Sequence, residues 1–121
     1  MKPTDLMIKD RVMVKVLSQI PNTYVLHTWS ANDYSRNLQV KPIPLTPEIL
    51  EKNGFIKVNS QRYDYGYPDT DCYVKVNPKK NMIHVNGRNA NSNLYSHSFV
   101  HELQRALRLC GLDELADNFK L

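Results

Sequence analysis

The chain predicts an α+β fold: a β-rich N-terminal part, a short central helix, a β-hairpin and a long C-terminal helix. Three observations predict it. Val12, Val14 and Val16 alternate with Met13 and Lys15, the period of a half-buried strand. Thr46-Pro47-Glu48 places a hydroxyl cap, a proline and an acid in the order in which a helix begins. Phe99, Val100, Leu103, Ala106, Leu107 and Cys110 recur at helical spacing and form one apolar stripe.

Taken in order, Leu6 and Ile8 precede a Lys9-Asp10 turn, and the alternating valines follow as the first strand. After Pro21-Asn22, Tyr24 to Trp29 is rich in β-branched and aromatic residues and reads as a second strand. Residues 32–37 are a polar loop, and Leu38-Gln39-Val40 is a third short strand closed by Pro42 and Pro44. Such a set suits either an SH3-like barrel or a small curved antiparallel sheet. The helix opened by Thr46 ends at Asn53-Gly54, where glycine tolerates the left-handed backbone. With only two turns, it depends on packing rather than propensity. Phe55 to Val58 reads as a strand.

Tyr63, Tyr65 and Tyr67 alternate with Asp64 and Gly66, which places the three rings on one face of an extended segment. Residues 72–76 and 82–85 flank a connection over Asn77 to Asn81 and read as a hairpin. Asn86, Asn89, Asn91 and Asn93 favour turns over regular structure, so that stretch reads as loop. Ser96 or Ser98 is expected to cap the long helix, Gly111 to end it, and a short final helix to begin at Asp113 with Leu115, Ala116 and Phe119 inward. His101, Glu102, Gln104, Arg105 and Arg108 are expected on its solvent side, with Glu102–Arg105 and Gln104–Arg108 as neighbouring pairs.

The 121 residues amount to about one domain of ordinary size, so residues 1–121 are expected to form a single compact domain. Within it residues 1–44 form the β-rich part, and residues 45–121 share the remaining core. Hydrophobic residues are 41% and charged residues 23%, an ordinary soluble balance that excludes a coiled coil and a disordered tail. No apolar run approaches a membrane span, and Met1 to Asp5 leads into no signal-peptide core, so no membrane partner is expected. Cys72 and Cys110 have no metal-ligand or redox spacing, which suggests a reducing cytoplasm. A net charge of +4 is mildly basic, and its densest cluster is Lys75, Lys79, Lys80 and Arg88.

Two stretches carry a resemblance. Val40-Lys41-Pro42-Ile43-Pro44-Leu45-Thr46-Pro47-Glu48-Ile49-Leu50 and Val100-His101-Glu102-Leu103-Gln104, with Asp5, Leu6, Ile8, Asp10 and Val12 at the start, resemble a group of short proteins from gut anaerobic bacteria and their prophages and mobile elements. No activity is established for that group. The resemblance implies a compact mixed fold, cytoplasmic residence and a mobile-element setting, and it carries over no catalytic residue. Residues 57–95 lie outside it.

Chemistry is sparse. His101-Glu102 would open a zinc-protease helix only with a second histidine four residues after the first; that position is Arg105, which has no lone pair to give a metal. His97 and His101 are also four apart, but Glu102 then follows the wrong histidine. Asp64, Asp69 and Asp71 lack the spacing of a calcium loop and read as an acidic loop. Four glycines supply no phosphate-cradling loop, and no nucleophile elbow is present. His84 alternates within a strand and reads as a strand residue rather than a base. No catalytic residue, metal or cofactor is therefore expected, and the protein is expected not to be an enzyme. A small hydrolase ranks third.

The expectation is a cytoplasmic binding or adaptor protein of mobile-element origin. It would meet an unidentified protein partner through Tyr63, Tyr65 and Tyr67. The alternative is a nucleic-acid-binding accessory module that uses Lys75, Lys79, Lys80 and Arg88 with nearby tyrosines, among them Tyr73, and with Arg62.

Overall fold

In the computed structural model, residues 6–15, 24–36, 38–66, 73–80, 82–87, 90–95 and 99–121 are described. They confirm an α+β fold built on two antiparallel sheets. The valine alternation becomes β1 (Arg11–Lys15), flanked by β2 (Tyr24–Thr28) and β3 (Val40–Lys41) in the order β2-β1-β3. Among the described residues these strands form an open three-stranded sheet, the second of the two expected arrangements. The polar segment between β2 and β3 is more ordered than expected, since Ala31–Ser35 winds into a 3-10 helix.

β1 is buried on one face and half-buried on the other. Val12 and Val14 join Leu6 and Trp29 in a small core, while Met13 packs into a larger one. The chain enters β1 through a tight turn in which the Asp10 N–H donates to the Met7 carbonyl at 3.0 Å. Lys9 occupies the left-handed region there, at φ 76°. Its own amide donates to the Trp29 carbonyl at 2.7 Å, and its carbonyl accepts from Gln104 Nε2 at 2.9 Å, so the surroundings hold the strained residue in place.

α1 (Pro47–Lys52) forms as the cap signals predict: Thr46 Oγ1 accepts from the Ile49 N–H at 3.2 Å, and Gly54 ends the turn at φ 85°. The five strands that follow form a second sheet in sequential order: β4 (Ile56–Lys57), β5 (Tyr63–Gly66), β6 (Tyr73–Asn77), β7 (Met82–Gly87) and β8 (Ala90–Tyr95). β4 is only two residues long rather than the expected four.

β8 corrects the reading of the asparagine-rich stretch as loop. Asparagine's local hydrogen bonding is a weak preference, and the paired backbone of β7, from Met82↔Tyr95 to Gly87↔Ala90, overrides it. α2 (Val100–Leu109) and α3 (Asp113–Asp117) cover one face of this sheet. Ile43, Leu45, Leu50, Phe55, Tyr63, Val74, Val76, Ile83, Val85, Val100, Leu103, Ala106, Leu107, Ala116 and Phe119 form the main core. Cys110 lies in it as expected, and its Sγ lies 3.6 Å from the Tyr73 carbonyl and 3.8 Å from that of Asn86.

The polar side of α2 differs from the expectation. His101 and Gln104 are buried, and Arg108 is nearly so. The N-terminal sheet covers that flank, so the helix carries a second packed face. Gln104 Oε1 accepts from the Arg11 N–H at 2.8 Å, and Gln104 Nε2 donates to Lys9 O at 2.9 Å and to Ala116 O at 2.8 Å. Arg108 pairs with the fully buried Asp10 at 2.6 Å and with Asp117 at 3.3 Å, instead of meeting Gln104. Ser96 and Ser98 lie outside the described residues. The Glu102 carboxylate accepts from the Phe99 N–H at 3.2 Å and closes the start of α2.

Candidate nucleic-acid interface

The inner face of the five-stranded sheet is committed to the helices, and strand alternation decides which side chains remain on the other face. Val74, Val76, Ile83 and Val85 point inward, so Tyr73, Lys75, Met82, His84 and Asn86 point outward. The register sets them side by side. Asp64, Lys75 and His84 form one row across β5, β6 and β7, and Gly66, Tyr73 and Asn86 form the next.

Within this face Lys75 Nζ lies 5.0 Å from the centre of the Tyr73 ring, a cation–π distance. The Tyr73 and His84 rings are 6.4 Å apart and tilted by 45°. Arg62 reaches over the same face and holds Asp64 with a two-pronged contact, Nε to Oδ1 at 2.9 Å and Nη2 to Oδ2 at 2.7 Å. The hydrogen bond with Asp64 pushes the Arg62 guanidinium further up, so it keeps its charge at every physiological pH. The pair also neutralises the single acidic side chain described in these rows. A groove of about 300 Å³ opens between Arg62, Lys75, Val76, Met82 and His84. The β6–β7 turn places Lys79 and Lys80, both exposed, at one end of the face, where Asn77 Oδ1 accepts from the Lys80 N–H at 3.2 Å.

The sequence-predicted residues thus divide. Lys75, Lys79 and Lys80 share one strand and its turn. Arg88 and Tyr67 lie outside the described residues, as do Asp69, Asp71, Cys72 and His97. Tyr63 is 4% exposed and belongs to the main core. Tyr65 is half-buried, packs against that core and meets Phe55 at 5.4 Å between ring centres. Their shared face is the inner one. Of the three expected contact tyrosines, Tyr63 is therefore withdrawn into the core, Tyr65 keeps a part-exposed ring, and Tyr67 lies outside the described residues. Asp64, read as part of an acidic loop, instead stands in β5 paired to Arg62. His84 was the residue that spacing undervalued. Its place beside Lys75 follows only from the hairpin register.

A second polar cluster lies at the other sheet. His27 Nε2 is 2.7 Å from Asp33 Oδ2, an oxygen that also accepts from the Ser30 N–H at 2.8 Å and the Ser30 hydroxyl at 3.0 Å. Arg36 Nη1 donates to the other oxygen at 3.0 Å. Burial alone pushes the Asp33 carboxyl up, but the hydrogen bonds from His27 and Ser30, with the electrostatic pull of His27, reverse this and hold it at about 2. Ser30 and His27 converge on one carboxylate oxygen instead of bonding to each other, so the trio lacks the nucleophile-to-base contact of a hydrolase. It braces the 3-10 helix against β2.

No family model, curated protein or solved structure matches the chain. Function therefore rests on the geometry. Among the described residues no three or more His, Cys, Asp or Glu side chains gather as a metal site, and no helix is long and apolar enough to cross a membrane.

Proposed function

We propose that this protein is a non-enzymatic binding module whose outer sheet face takes nucleic acid. The observation that carries the reading is the convergence of Arg62, Lys75, Tyr73 and His84, each part-exposed, on the outer face of the sheet, with Lys79 and Lys80 at its end. Cations supply phosphate contacts, whereas an aromatic ring beside them offers a surface to a base. The accessory role in a mobile element that the sequence resemblance suggests is compatible with such a module.

The test is fluorescence anisotropy of labelled oligonucleotides at low salt, repeated across a salt series. Binding is expected to weaken linearly on logarithmic axes. Lys79→Glu with Lys80→Glu is expected to flatten that line by roughly two phosphate contacts, a slope change of about 1.5. Both lysines are exposed, so the fold tolerates their reversal. No anisotropy change with any oligonucleotide at low salt refutes the proposal.

A second reading, contact with a protein, has one observation in its favour. Ile56 is 69% exposed on edge strand β4, and Val58 just beyond it is 51% exposed. The Val58 N–H donates to the Arg62 carbonyl, so by antiparallel alternation the Lys57 amide groups point away from β5. That edge could accept an extended peptide, and Ile56→Lys would abolish such binding while leaving oligonucleotide affinity intact.

A further inference from the structure

We infer, resting on the nucleic-acid reading above, that the ligand is single-stranded and that one of its bases stacks on Tyr73 while Lys75 and Arg62 meet the flanking phosphates. Duplex and single strand make different demands on a sheet. A duplex hides the flat faces of its bases in its own stack and offers phosphates and groove edges, which call for a helix, a ribbon or a row of cations. A single strand exposes the base faces, and an aromatic ring lying among cations on an open sheet can take one.

The outer face has the second character. Tyr73 opens β6, the central strand in the order of the five, on the row it shares with Gly66 and Asn86. Gly66 itself places no side chain beside the ring. On the neighbouring row Lys75 lies 5.0 Å from the ring centre, and the His84 ring is 6.4 Å away, a spacing that lets a base on Tyr73 sit within reach of both. Lys75 and His84 in turn line, with Arg62, Val76 and Met82, the groove that lies further along the strands. Its volume of about 300 Å³ is at the lower end of small-ligand pockets (~300–1,000 Å³), the scale of one nucleotide unit rather than of a helix.

The position of Tyr73 is also fixed from behind. The Cys110 thiol, just past α2, lies 3.6 Å from the Tyr73 carbonyl and 3.8 Å from that of Asn86, and Val74 beside it is fully buried, so the Tyr73 backbone is packed against the core. A platform held this way loses little freedom on binding.

The experiment compares a short labelled oligothymidylate with a duplex of the same length, using the full chain. Single-strand binding at least about tenfold tighter than duplex binding is expected. Tyr73→Leu should weaken the single strand by roughly five- to a hundredfold at an unchanged salt slope, because it removes a stacking face and no charge. Tyr73→Phe should restore most of the affinity, and Lys75→Met should lower the slope by about one phosphate. A readout free of substitution is photocrosslinking of an oligonucleotide containing 5-iodouracil to the unaltered protein, with Tyr73 expected among the crosslinked residues. Duplex binding equal to or tighter than single-strand binding overturns the inference, as do crosslinks confined to residues 79–80, while the nucleic-acid reading itself stands. Absence of binding by either oligonucleotide refutes that reading first.

Discussion

Gln104 ties the N-terminal sheet to α2 and α3, and replacing it with leucine isolates that role. The side chain is fully buried and makes three hydrogen bonds to backbone: one from Arg11 N–H and two to the carbonyls of Lys9 and Ala116. Leucine has a similar volume, so packing is nearly conserved and the polar loss dominates. The Ala116 carbonyl is wholly buried and would forfeit about 1–3 kcal/mol as an orphan. The Lys9 and Arg11 groups are only part-buried and can recover water, so each costs about 0.5–1.5 kcal/mol. The sum centres near 4 kcal/mol, a large share of a stability of about 5–15 kcal/mol.

The assay is equilibrium unfolding in urea followed by two probes. Trp29 is the single tryptophan, it is buried in the small core, and its fluorescence reports the three-stranded sheet. Far-ultraviolet circular dichroism reports the whole chain. With a slope of about 1–3 kcal/mol per molar urea, the midpoint should fall by about 1.3–4 M. The Trp29 transition should also move ahead of the dichroism transition as the sheets uncouple. A midpoint within about 0.2 M of the wild type, with both probes still coincident, would refute the assignment of Gln104 as the tie between them.

Other outcomes follow from the same geometry. Asp33 has a folded-state pKa lowered from 3.8 to about 2, so its contribution of about 2 kcal/mol is present above the ordinary value and disappears as pH falls from about 4 through 2. Asp33→Asn should remove that part of the acid sensitivity, as read from urea midpoints across the pH series. Gly54→Ala should destabilise by about 1–2 kcal/mol in a thermal melt, because φ is 85° there and the added carbon would sit 3.2 Å from Tyr65 Cε2.

Much of the fold was legible because local chemistry and tertiary structure agree. The Thr46 cap, the Gly54 stop, the alternating valines of β1 and the apolar stripe of α2 each have one favourable outcome, and the chain takes it. Legibility failed where a preference was weak or where a partner came from far along the chain. The asparagines of β8 prefer turns only slightly, and β7 supplies a backbone ladder that outweighs this. Gln104 and Arg108 read as solvent residues because the partners that draw them inward at positions 9 to 11 are more than ninety residues away.

The candidate interface shows the same division within a single hairpin. An expected connection of residues 77–81 would pair Val76 with Met82 and set an inward residue opposite an outward one. The observed pairing of Asn77 with Met82 instead aligns Val76 with Ile83, and Val74 with Val85, over the core. A shift of one residue exchanges the faces, so the core chose the register, and the register placed His84 beside Lys75.

From its order of residues alone, this chain settled which segments are helix and which are strand, wherever capping and hydrophobic period speak together. It also settled that Lys75, Lys79 and Lys80 are near one another, because one strand and its turn contain all three. The assembled molecule decided the rest: that Tyr63 and Tyr65 face the core, that Tyr73 and His84 face outward, and that a polar flank of α2 joins the two sheets. The physical reason is that each of these outcomes depends on which distant surface becomes available to cover a side chain, and pairing across the chain selects that surface.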